Sequence, residues 1–157
     1  MESSSDRKTE HKEVFMKKVY LFLFALHILV GVGAVCGGLA AITNPYSPMG
    51  IPTETLEHSP FDNFLIPGLI LFGVIGLGNL LSAGMYLART KYQGYISSVF
   101  SWALVIWIVV QVIMLRSVVF LHVLFFLIGL VQALLSAALL FEKRLFPANV
   151  VLKILKK

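Results

Sequence analysis

His27, Asn79, Ser101 and Gln132 are polar side chains set inside long apolar runs, each in a different run. A polar group in hydrocarbon has no water to bond, so it must meet a partner across a helix interface or face a cavity. At a helical rise of about 1.5 Å per residue, all four lie roughly 10–14 Å from the basic end of their run. They define one polar layer. An imidazole, two carboxamides and a hydroxyl can either hold helices in register or receive the polar group of a small amphiphile, such as a quinone or a lipid headgroup. Gln111 and His122 fall nearer the opposite ends of their runs and make a second, shallower polar group.

Other chemistries find little to work with. No Asp or Glu lies inside any run, whereas proton-coupled pumps and transporters usually carry one there. His27 and His122 differ in depth by about 15 Å or more on helical rise, too far for one metal or haem. Cys36 is the only cysteine, which excludes a disulfide framework and a C-x-x-C pair, and beside Gly37 and Gly38 it reads as a small buried residue. Glu54, Glu57, His58 and Asp62 form the carboxylate and imidazole cluster of the outer loop, and their spacing is that of a solvated loop. No catalytic residue, metal ligand or cofactor is assigned.

The elements that must position these residues follow from hydropathy and charge. The chain has 157 residues, 58% hydrophobic and only 13% charged, and the charges gather at the boundaries of apolar stretches. That distribution is what a hydrocarbon solvent imposes. Spans are expected at about 19–42, 64–88, 94–115 and 120–141, the last two divided by a tight turn at Arg116. Residues 43–63 form an outer loop stiffened by Pro45, Pro48, Pro52 and Pro60. Residues 1–13 are expected to be disordered, and the tail 142–157 to lie on the membrane as a basic amphipathic segment. All 157 residues make one membrane domain.

Of the 13 Lys and Arg, all but Arg116 fall on one side of this four-span arrangement. The bias places both termini and the Arg89–Lys91 loop in the cytoplasm. Three or five spans would put large basic clusters on both faces. The net charge of +5 therefore marks a membrane surface, not a nucleic-acid partner. The expected fold is an all-α, polytopic transmembrane four-helix bundle.

Each span carries one small and polar stripe at helical spacing: His27, Gly31, Ala34 and Gly38; then Gly76, Asn79, Ser82 and Ala83. On the third the stripe is Ser97, Ser101, Leu104, Ile108 and Gln111, and on the fourth Gly129, Gln132, Ala133, Ser136 and Ala137. In lipid such residues let helices approach and bond one another, so these faces should look inward. Trp102 and Trp107 lie deeper than the boundary tyrosines, and their indole N–H groups need partners.

The run Ser59-Pro60-Phe61-Asp62-Asn63-Phe64-Leu65-Ile66-Pro67-Gly68-Leu69-Ile70-Leu71, with Trp107-Ile108-Val109-Val110-Gln111 on the third span, resembles a broad group of uncharacterised small bacterial four-span membrane proteins. The resemblance implies a bacterial plasma-membrane location and carries no activity or catalytic residues. Two better-known four-span groups are excluded by their chemistry. Vitamin K epoxide reductase-like proteins need a C-x-x-C pair, and small multidrug transporters need an acid in the first span.

Two functions follow as expectations. The first is a non-enzymatic accessory or oligomeric membrane component, whose partners are the lipid bilayer and another copy or membrane protein. The second is a binder or carrier of a small lipophilic molecule in the polar layer.

Overall fold

The computed structural model describes residues 4–88, 90 and 92–142. Among the described residues four helices are long and apolar enough to cross a membrane: α1 (Ser4–Thr43), α2 (Leu65–Leu87), α3 (Gln93–Leu115) and α4 (Phe120–Glu142). They run alternately up and down, so the start of α1 meets the end of α4. Val19 and Leu23 pack there on Leu139. The spans sit within a residue or two of their expected bounds, except that α1 is helical from Ser4, through the polar segment expected to be disordered. A membrane-spanning helix has already overcome the cost of nucleation, so good helix formers such as Glu10, Lys12 and Glu13 extend it one bond at a time. Arg89, Lys91 and the tail from residue 143 lie outside the described residues.

Close approach of backbones holds α1 against α2. A Cβ added to Gly38 would lie 2.6 Å from the Phe72 backbone nitrogen, and one on Gly68 would lie 2.7 Å from Ala41 Cβ. Only glycine permits either approach, which is how helices gain dispersion contacts in lipid. At this junction α2 widens into a π-helical stretch, Leu71–Leu77, before returning to α-helix at Gly78. Single π-turns inside α-helices occur often at functional sites. On α4, Gly129 admits Val105 and Leu104 of α3 in the same manner.

The connections are short and locally determined. Arg116 ends α3 in the left-handed region, φ 45°, and a tight turn leads directly into α4. His122, third residue of α4, reaches back so that its Nδ1 accepts the Val119 N–H at 3.3 Å, one half of a capping box. Between α1 and α2 the chain makes two 3₁₀ turns, Pro48–Gly50 and Thr53–Leu56. The Phe64 N–H donates to Pro45 O at 2.9 Å and closes this loop over the end of the bundle. Asn63 Oδ1 accepts the Leu65 N–H at 2.9 Å and starts α2. Pro67 sits in its first turn, where a missing N–H costs nothing.

Candidate functional site

Each of the four helices delivers a polar side chain to one point. His27 is 1% exposed and Asn79, Ser101 and Gln132 are fully buried. Asn79 Nδ2 donates to Ile75 O at 2.8 Å, on its own helix, which turns Oδ1 toward α1. His27 Nδ1 stands 2.7 Å from that oxygen and therefore carries the proton it donates. The other ring nitrogen, Nε2, is then an acceptor, and the Ser97 hydroxyl donates to it at 2.6 Å. Gln132 Nε2 donates to Asn79 Oδ1 at 3.4 Å. Its 3.2 Å approach to His27 Nδ1 sets two N–H groups side by side. Gln132 Oε1 is left buried without a partner among the described residues.

His27, Asn79 and Gln132 thus converge as their depths suggest, but Ser101 does not join them. Its hydroxyl donates to Ser97 O at 2.6 Å within α3, and Ser97, one turn nearer the termini, bonds the imidazole. A helical side chain leans toward the N-terminus of its own helix, so the His27 ring sits about a turn nearer that end than its Cα. Depth counted from Cα positions misses this lean. Ser97 was present in the third stripe, four residues before Ser101, and that spacing was the available signal.

The layer is closed, and the open space lies elsewhere. Toward the end of the bundle away from the termini, the helices enclose a cavity of about 610 Å³. Its inner wall is the buried cluster Val30, Ala34, Ile75, Leu104, Trp107 and Ile108. Val30 and Ile75 stand one turn beyond His27 and Asn79, so they separate the cavity from the polar layer. The outer loop covers it with Pro48, Met49 and Thr55, and Phe64 and Phe125 add aromatic walls. Gly33 and Leu121, both exposed, border it on α1 and α4 and mark an opening toward lipid.

Gln111 and His122 both line this cavity, without a hydrogen bond to each other. Because His122 Nδ1 accepts the Val119 N–H, its Nε2 carries the proton of the neutral ring and is a donor. Trp107 is 6% exposed, and its indole N–H has no hydrogen-bond partner among the described residues. Among the described residues no Asp, Glu, Lys or Arg lines the space. Of the two tryptophans, Trp107 is buried in the cavity wall and Trp102 is half exposed on the lipid side. Cys36, expected to be buried, is exposed, because it stands outside the His27–Gly31–Ala34–Gly38 face of α1. Among the described residues, no three His, Cys, Asp or Glu side chains approach closely enough to hold a metal ion.

Four membrane-crossing helices around a closed polar layer and an uncharged cavity define an all-α, multi-pass membrane protein. Comparisons with family models, curated proteins and solved structures each find no match, so no family is assigned.

Proposed function

We propose that the protein is a non-enzymatic binder or carrier of a small lipophilic molecule, held between the outer halves of its helices. The observation that carries this reading is the cavity of about 610 Å³, uncharged and bordered on the lipid side by exposed Gly33 and Leu121. Sites for small molecules commonly span about 300–1,000 Å³, mostly apolar with a few placed polar groups. The inner polar layer is assigned a structural role, because His27, Asn79, Gln132 and Ser97 bond one another, with Gln132 Oε1 left over. The accessory or oligomeric reading is weaker for the same reason: the stripes that would engage a second protein are occupied within one chain. The basic bias supports termini in the cytoplasm, with the cavity in the outer leaflet, and a plasma-membrane setting is what the resemblance of residues 59–71 implies.

Native mass spectrometry of the chain purified in mild detergent tests the binding. A Cβ on Gly33 meets only Phe125 Cζ, at 3.8 Å, so Gly33→Leu enters the mouth without disturbing the backbone. Wild type should carry a lipophilic adduct that Gly33→Leu loses. Absence of any adduct from wild type, or its undiminished retention by the variant, would sink the reading.

A further inference from the structure

The shape of the cavity and the order of its lining along the helices select among lipophiles, given that it binds one. Its walls run from Val30 to Ala41 on α1 and from Leu104 to Leu115 on α3. Each stretch rises about 16 Å, half of the roughly 30 Å hydrocarbon core of a bilayer. The space is as deep as one leaflet's chains and lies parallel to them.

Polarity divides it end from end. Val30, Ala34, Ile75 and Leu104 make the inner end apolar, and the Trp107 nitrogen is sealed from any surface. Among the described residues, the polar side chains of the lining are Thr55, Gln111, Ser117 and His122, all at the outer end. Gln111, half-buried, stands on α3 opposite the lipid-facing Ile106, Val109 and Ile113. Its carboxamide has no hydrogen-bond partner among the described residues, yet neither of its polar atoms is sealed from the surface. Both atoms are therefore open to an occupant.

This end offers donors and acceptors together. Gln111 supplies one of each. Thr55 Oγ1 gives its proton to Pro52 O at 2.8 Å and keeps its lone pairs. His122 Nδ1 accepts the Val119 N–H, which leaves Nε2 a donor in the neutral ring. An alkane filling the space would desolvate the carboxamide without pairing it, and a head that only accepts would leave Gln111 Oε1 unpaired. A phosphate or ammonium head meets no counter-charge in the described lining. A hydroxyl donates and accepts at one atom and so meets both halves of the carboxamide.

We infer that the occupant is an uncharged, single-chain lipid with a hydroxyl head, of the long-chain alcohol class. Its hydroxyl pairs with Gln111 beneath the outer loop, and its chain runs inward along α1 and α3 to Val30 and Leu104. A leaflet lipid already has this orientation, so it enters sideways between Gly33 and Leu121 without turning over. The class rests on the binding reading above, and the test separates the two.

The full chain, in a steroid-based detergent that brings no alkyl chain of its own, is offered dodecanol, dodecyl methyl ether, dodecane and dodecyl phosphate at equal concentrations. Bound masses are then compared. Wild type should take up dodecanol about three- to tenfold in preference to dodecane, the range one net hydrogen bond supplies. The ether, which accepts but does not donate, should bind less than dodecanol. Gln111→Leu removes both halves of the carboxamide and should bring dodecanol level with dodecane, and Gln111→Met is the second variant should the first fold poorly. Dodecanol carrying a photoreactive diazirine at its chain end should label the inner wall at Val30, Ile75 or Leu104. Equal uptake of dodecanol with dodecane or with the ether, preference for dodecyl phosphate, unchanged selectivity in the variants, or chain-end label confined to the outer loop overturns the class and leaves a lipophile site standing. Failure of wild type to take up any probe overturns the binding reading as well.

Discussion

The two serines of α3 show how much a one-turn difference matters. Ser97 donates to His27 Nε2 across an interface, while Ser101 bonds only the carbonyl one turn back. Ser97→Ala leaves a buried ring nitrogen unpaired and should cost about 1–2 kcal/mol. Ser101→Ala forfeits a bond within the helix that contributes little and should stay within about 0.5 kcal/mol. Thermal midpoints in one detergent check the pair, and equal losses would contradict the assigned partners. The residue types of this layer were legible, because a His, an Asn and a Gln in apolar helices must meet something. Which serine completes it was not legible, since the choice depends on side-chain lean.

At the scale of elements, the decisive contacts are those of backbone with backbone. Gly38→Ala would press a methyl group against the Phe72 backbone at 2.6 Å, where no flexible side-chain end can give way. It should lower stability by about 1–3 kcal/mol, as overpacking does. Gly84, within α2, has nothing within 4 Å of an added Cβ. There Gly84→Ala should stabilise by about 0.5–1 kcal/mol through helix propensity alone. Denaturation of both variants in mixed micelles gives the comparison, and a neutral Gly38→Ala would mean that α1 and α2 are not packed this closely. The spacing of Gly31, Ala34 and Gly38 exposed the face of α1 in advance. The π-helical stretch of α2 had no comparable signature, because a widened turn arises from the fit of Leu71–Leu77 against its neighbours.

For the whole molecule the testable matter is direction across the membrane. In a Cys36→Ser background, Met49→Cys on the exposed outer loop should react with a membrane-impermeant maleimide in intact cells. Glu13→Cys, at the opposite end of the bundle, should react only after permeabilisation. The reverse pattern would invert the orientation drawn from the lysines and arginines. The same scale decides where a ligand can sit. Cavity space lies beyond the polar layer, where Val30, Ala34, Ile75, Leu104 and Trp107 come together beneath the outer loop.

The amino-acid sequence alone determined the number of spans and their inward faces, because hydrocarbon length, helical period and the cost of buried polar groups are local properties of the chain. It also placed His27, Asn79 and Gln132 at a common depth. Tertiary structure decided that these three and Ser97 close upon one another, that Cys36 faces outward, and that Gln111 and His122 line a cavity with Trp107. Those outcomes depend on helix separation and on the path of the 43–63 loop, and a void is a property of several elements that no single one of them encodes.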